Sequence, residues 1–387
     1  MDELATYIAA REKDMLKLLE HLVNTDCGTY VKAGVDRVGD ILAERLESLE
    51  FKVERSRQKQ YGDHVIGHKP GTGMHRILFI GHMDTVFAEG TAKKRPFRME
   101  GGRAYGPGVS DMKGGIVALL YALEALKEEA AQVYNRIVMD VVFNSDEEIL
   151  SPTSRPIIEA LARKAHTVCV FEPARPGGEY VIQRKGVGKY TMTISGRAAH
   201  AGAQPEQGRS AIEALARKTV ALHALTDLAE GTTVNVGLIR GGERSNVVAE
   251  SAYAEIDVRV PDAAAAARLD EQIHRIAGIP HVPDTTCRLT GGVLFPPMQQ
   301  TPQMKRLFEA VQDAGRSIGI ELRGIATGGG SDGNHAAQFA PTLDGMGPQG
   351  SGAHSDREQM VISTLTERSK VTALFLSKWP EVVGKIV

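Results

Sequence analysis

Three short apolar runs constrain this chain more than any other feature. RILFI (76–80), RIVMDVVF (136–143) and TVCVF (167–171) are rich in β-branched residues and too short for ordinary helices. Runs that are apolar on both faces read as strands buried within a sheet. Helical patterns over about 112–129 and 153–165 separate them, and this alternation predicts an α/β sheet with helices on its faces. A leading helix over 3–25 carries Leu4, Ile8, Met15, Leu18, Leu19 and Leu22 at helical spacing.

From about residue 186 the pattern changes. GKYTMTISG reads as a strand and 208–224 as a helix; TTVNVGLI and SAYAEIDVRV read as two strands around the turn-rich GGERSN. The Ala-rich 263–278 is a helix and 282–290 a closing strand, which gives the β-α-β-β-α-β order of a ferredoxin-like module. Residues 296–387 return to the first style, with helices over 301–318 and 361–378. The expectation is an α/β domain over 1–185 and 296–387, interrupted by a small α+β insertion over 186–295. Gly291-Gly292 with Pro296-Pro297 marks the best hinge candidate.

All three apolar runs end in residues able to hold a metal. Gly81-His82-Met83-Asp84 follows the first, Asn144-Ser145-Asp146-Glu147-Glu148 the second, and Phe171-Glu172-Pro173 the third. Ligands of open α/β sheets bind beyond the carboxyl ends of the strands. Gly108-Val109-Ser110-Asp111-Met112-Lys113-Gly114-Gly115 stands before a helix, and Gly352-Ala353-His354-Ser355-Asp356 lies in a late glycine-flanked loop. Each segment has a plainer reading: Asp111 as a helix cap, Asp84 as a turn residue, Glu147-Glu148 as a solvated helix start. Joint placement at strand ends favours chemistry, yet the residue pattern alone leaves a metal site and a set of structural polar groups both open.

Composition removes other classes. A net charge of −2 offers no polyanion-binding face, so nucleic acid is not expected as a partner. No run approaches the roughly 18 apolar residues of a membrane span. Cys27, Cys169 and Cys287 are odd in number and far apart, which argues against a disulfide framework and a thiolate metal site. The start lacks a secretory pattern, so a cytoplasmic location is expected, or a periplasmic or secreted one for a chain trimmed of its signal.

GHMDTV, YGPGVSDMKGG, NSDEE, FEP, GRAAHAG and GAHSD occur in the order and at about the spacing of the M20 metallopeptidases. The chain resembles that family from about residue 10 to its end, and most resembles its bacterial glutamate carboxypeptidases. The resemblance implies a zinc-peptidase-like catalytic domain with an inserted ferredoxin-like lid and dimerisation domain. It also implies two zinc ions per subunit: His82, Asp111 and Glu172 would hold one, and Asp111, Glu148 and His354 the other, with Asp111 bridging. Cobalt or manganese suits the same ligands. Three carboxylates offset most of the +4 charge of such a pair.

By the same resemblance Glu147 is the general base, and Asp84 is a carboxylate that orients the His82 ring. His200 donates to the oxyanion from the inserted domain of a partner subunit, so a homodimer is expected. Asn246 and Arg259 match residues that bind the substrate's terminal carboxylate, and Gly328 and Gly329 could offer backbone N–H groups to it. Arg259 also reads as an outward strand residue, and His200 as a loop residue near a helix start. The remaining histidines, His335 among them, read as structural or surface groups. The implied reaction is cleavage of the amide of a C-terminal amino acid, glutamate foremost, from a small peptide or N-acyl amino acid. The alternatives are an N-acyl-amino-acid deacetylase or desuccinylase and, in another class, a non-catalytic binding protein on the same fold. Glu at position 172 resembles the carboxypeptidases and deacylases rather than the aminopeptidases.

Overall fold

The computed structural model describes residues 3–387. The chain divides into two compact units. One runs through Gln183 and resumes over Gln299–Thr327 and Ser331–Val387; the other comprises Arg184–Met298 with Gly328–Gly330.

The first unit is built on a six-stranded sheet in the order 52–56, 64–69, 138–144, 76–82, 167–170, 342–343. Arg76–His82 runs parallel to both Val138–Asn144 and Thr167–Val170, and the outer pairs of the 52–69 edge are antiparallel. The three apolar runs are therefore adjacent and parallel, with both faces covered. Ile77 and Phe79 enter one core with Val141 and Phe143, while Leu78 and Ile80 enter another with Val142, Val168 and Val170. That division follows from the two-residue period of a strand.

On the first face lies the helix Gly114–Glu129, buried along most of its length from Gly114 to Leu126, against the long C-terminal helix Ile362–Ile386. A helix apolar all round has to be a central one. Gly115 permits its close approach: a Cβ there would lie 1.8 Å from the Phe171 carbonyl oxygen. The leading segment forms two helices, Glu3–Ala10 and Glu12–Val23, rather than the single one expected, with the break at Arg11.

The second unit is a four-stranded antiparallel sheet in the order 233–241, 251–260, 186–195, 286–295, with helices Ala211–His223 and Ala263–Gly278. Numbered along the chain, the strands lie in the order 2-3-1-4 of a ferredoxin-like module, so the chain is an α/β protein carrying an inserted α+β unit. Alternate residues of Ser251–Val260 are buried, Ile256 and Val258 among them. Gly291 and Gly292 are not loop residues, as the hinge expectation required. They pair with Tyr190 and Lys189 inside the last strand, whose register shifts between Val293 and Phe295. Gly291 has a φ of +109°, a conformation open to glycine.

Candidate metal centre

Strand register brings the three acidic strand ends to one level. His82 stands opposite Asn144, and Ile80 opposite Val170, so Glu172 falls two residues further along, level with His82. Beyond Asn144 the chain makes a short 3-10 turn, Glu147–Ile149, and presents both glutamates at the same end of the sheet.

Asp111 enters from a different direction. It has non-helical angles (φ −112°, ψ 92°) just before the 114–129 helix, and the Asp111–Met112 peptide bond is cis. Its turn is held by Glu358, whose carboxylate accepts the backbone N–H groups of Gly108, Ser110 and Asp111 at 2.9, 2.9 and 3.0 Å. Burial pushes the Glu358 carboxyl up to about 7, against the pull of those three donors. His354 sits at φ +61° in the turn after Gly352, closed by the Ser355 hydroxyl donating to the Gly352 carbonyl. For a non-glycine residue that conformation costs about 1–2 kcal/mol, and such cost concentrates where a side chain must be aimed.

These elements bring together all six residues expected around the metals. Asp111 Oδ1 lies 3.2 Å from His82 Nε2, and Asp111 Oδ2 lies 3.3 Å from His354 Nε2. Glu172 Oε1 is 3.6 Å from His82 Nε2, and Glu148 Oε2 is 3.0 Å from His354 Nε2. Neighbouring ligands of a tetrahedral zinc, each about 2.0–2.2 Å from the ion, are about 3.3 Å apart. The donor spacing fits that edge on both sides of Asp111. Ligand atoms of His82, Glu147 and Glu172 also cluster within 4.8 Å, so the base candidate faces the same space.

The imidazole tautomer fits as well. His82 Nδ1 is 3.0 Å from the Asp84 carbonyl oxygen, which only accepts, so Nδ1 carries the proton and Nε2 turns its lone pair to the cluster. Asp84 thus orients the ring chiefly through its backbone, since its carboxylate is 3.5 Å from Nδ1. That carboxylate instead accepts the Thr29 hydroxyl at 2.7 Å and the N–H groups of Glu147 and Glu148 at 3.3 Å each. Asp84 ties the base-bearing turn to the His82 strand.

The electrostatics call for cations. Burial raises the Glu147 carboxyl well above its ordinary range, with Glu172, Asp332 and Glu148 adding to the rise, and burial raises Glu148 too. Burial alone would lower the His82 imidazole, but Asp111 and Asp84 hold it well above its usual value. His354 is pushed up to about 10 by Asp111 and then Glu148. Four carboxylates against two imidazoles leave excess negative charge in one half-buried cleft. A divalent cation on each side of Asp111 would reverse those shifts.

Sequence reasoning missed the frame around the cluster. Glu358, Thr29 and the buried Asp332 lie far from the motif residues they hold, and a side chain that acts through another leaves no spacing signature. Glu358 had one readable sign, its place four residues after His354.

The expected substrate residues lie on the second unit. His200 is exposed, and its Nδ1 accepts the N–H groups of Gly202 and Ala203 at 3.1 Å each. The proton of the neutral ring is therefore on Nε2. Asn246 is exposed and its carbonyl accepts the Ala201 N–H, which ties it to the same loop. Arg259 projects from the face opposite Ile256 and Val258, and one edge of its guanidinium is already paired with Asp257 at 3.0 and 2.9 Å. Only its other edge can grip a substrate carboxylate. The carbonyls of Gly329 and Gly330 accept from Arg184 at 3.0 and 3.3 Å, and a Cβ at Gly328 would meet nothing within 4 Å.

Two imidazoles and four carboxylates gathered beyond the strand ends of a parallel-centred sheet make up a donor set for divalent metal ions. The chain belongs to peptidase family M20/M25/M40, whose model matches residues 78–378. It is 34% identical over 371 residues to carboxypeptidase G2 from a Pseudomonas species, covering 93% of this chain and 88% of that one. It is 27% identical to the succinyl-diaminopimelate desuccinylase of Nitrosospira multiformis, covering 87% and 91%. The crystal structure of aminopeptidase PepT from Bacillus cereus superposes with a TM-score of 0.76 at 23% identity, over 95% of this chain and 98% of that one, a likeness of fold. Among the described residues no helix is long and apolar enough to cross a membrane.

Proposed function

We propose that this metallopeptidase is a two-zinc carboxypeptidase that releases a C-terminal amino acid, glutamate foremost, from small peptides or N-acyl amino acids. The observation that carries the two-metal reading is the division of Asp111: one oxygen faces His82 and the other faces His354. His82, Asp111 and Glu172 would hold one ion, and Asp111, Glu148 and His354 the second. Bound cations would supply Lewis acidity, polarising the scissile carbonyl and lowering the pKa of the attacking water.

Glu147 takes the proton from that water and passes it to the leaving amine nitrogen, so one carboxylate serves as base and then as acid. Asp84 holds the backbone on which Glu147 sits. His200, with its proton on Nε2, supplies a further donor to the developing oxyanion, and Asn246, Arg259 and the N–H groups of Gly328 and Gly329 receive the substrate's terminal carboxylate. The chain acts as a homodimer through its inserted unit. Its unpaired cysteines suit a reducing, cytoplasmic setting.

Likeness to a desuccinylase supports a second reading, removal of an acyl group from an amino acid. A panel of N-acyl amino acids with the two halves varied independently separates the readings. Dependence on a C-terminal glutamate with tolerance of the acyl half is expected; strict dependence on a succinyl or acetyl group would overturn it. A binding role without catalysis is disfavoured because Glu147 and a full ligand set are all present. Glu147→Ala tests the base: two metals per chain by elemental analysis and a fall in kcat of about 10³–10⁴-fold are expected. Unchanged turnover would refute the assignment.

A further inference from the structure

The turn that carries Glu147 is followed by two consecutive non-glycine residues in the left-handed region, Leu150 at φ +74° and Ser151 at φ +53°. Such a pair persists only where its surroundings over-determine it. The surroundings are specific. The Ser151 hydroxyl donates to Asp332 Oδ1 at 2.5 Å, and its backbone N–H donates to the Asp146 carbonyl at 2.8 Å. On the other side of the turn, Asn144 Nδ2 donates to Asp332 Oδ2 at 2.6 Å and to the Ser154 hydroxyl at 2.9 Å. Asn144, Ser151, Ser154 and Asp332 are all buried. One carboxylate therefore grips the chain three residues before Glu147 and three residues after Glu148.

We infer that Asp332 is a positioning residue that staples the two ends of the Glu147 turn and keeps it in its strained, productive conformation. The inference rests on the reading of Glu147 as the general base. Asp332 lies 188 residues from Asn144 and 181 from Ser151, so the staple is a tertiary device rather than a local turn motif. Asp146 braces the segment beyond it, accepting from the backbone N–H and hydroxyl of Thr153 and from the Ser154 hydroxyl. Asp84 holds the N–H groups of Glu147 and Glu148 from the His82 strand, and Asp332 fixes the two ends of the turn between which they sit. Asp332 belongs to neither candidate ligand group and is none of the expected substrate residues, so its loss should act on the step that needs Glu147 and spare binding.

The test compares three variants with the metal-loaded wild-type enzyme. Asp332→Ala removes both contacts. Ser151→Gly removes one contact while relieving the backbone of its unfavourable conformation, which offsets part of the cost of leaving Asp332 Oδ1 without its donor. Asp332→Asn keeps both, accepting from Asn144 through its oxygen and donating to the Ser151 hydroxyl through its nitrogen. We expect Asp332→Ala to lower kcat by about 100-fold, the scale of a displacement of roughly 1 Å, with KM and metal content unchanged. Ser151→Gly should lower kcat with KM and metal content unchanged and a cooperative melting transition retained, and Asp332→Asn should recover most of kcat. Wild-type kcat in Ser151→Gly, or an Asp332→Ala loss confined to KM or to metal content, would overturn the inference. If Glu147→Ala itself retained turnover, the reading beneath would fail instead.

Discussion

The cluster at the sheet edge and the His200 loop of the inserted unit are both read as catalytic, yet they are held in opposite ways. Asp111 and Glu147 sit in a half-buried cleft, and the chain around each is held by residues distant in sequence: Glu358 for Asp111, and Asp84 and Asp332 for the Glu147 turn. His200 is exposed and fixed by the N–H groups of Gly202 and Ala203, two and three residues away. The difference follows from desolvation. A buried charge without satisfied partners costs several kcal/mol, so the fold must supply long-range donors for it. An exposed imidazole needs only to be aimed, and a local turn suffices.

The contrast predicts that function and stability separate at His200 and move together at Glu358. In His200→Ala, loss of one oxyanion donor should lower kcat by about 10²–10³-fold with no change in melting temperature. Glu358→Ala leaves three backbone N–H groups beside Asp111 without their acceptor. Activity should fall by about 10–100-fold through a displaced ligand. Stability should drop by roughly 3 kcal/mol or more, since each orphaned group costs about 1–3 kcal/mol. Urea unfolding and steady-state kinetics on both variants check the pair. Equal stability losses, or a full-rate His200→Ala, would erase the distinction.

The same contrast explains what was legible in the sequence. His82, Glu147, Glu148 and Glu172 follow the ends of apolar runs, because such a site is built on rigid strands, whereas Asp111 and His354 lie in glycine-flanked segments whose ligand role only the family resemblance singled out. The central strands showed themselves through their apolar runs, and the inserted unit through its order of elements. The strand His64–Lys69 escaped notice although it is among the more buried, because its ends are polar. Lys69 satisfies its ammonium with the carbonyls of Pro70 and Tyr134 and lies 4.2 Å from the centre of the Tyr134 ring. Tertiary partners of that kind cannot be seen from one segment, and the same holds for Glu358 and Asp332. The helix Lys32–Ser48 was readable in principle from Val35, Val38, Leu42 and Leu46, with Gly34 and Gly39 obscuring its pattern.

His335 offers the finest version of the comparison, a buried imidazole in the same unit with no catalytic role assigned. It lies fully buried on the short helix Gly333–Ala336, and burial pushes its pKa down to about 4, with Arg155 adding to the fall. In the unfolded chain an imidazole titrates near about 6.5. The folded value is the lower of the two, so the unfolded state binds the proton more readily. Stability is then at its full value above the unfolded pKa and is lost as pH falls from there toward the folded one. Between pH ~7.5 and ~5 the loss from this residue alone is about 2 kcal/mol. Urea unfolding at the two pH values, compared between the parent and His335→Gln, isolates it from the other groups that titrate in that window. The parent should lose about 2 kcal/mol more than the variant over the interval. Parallel losses would mean that the buried ring accepts its proton as easily as an exposed one, and burial would then not distinguish the two kinds of site.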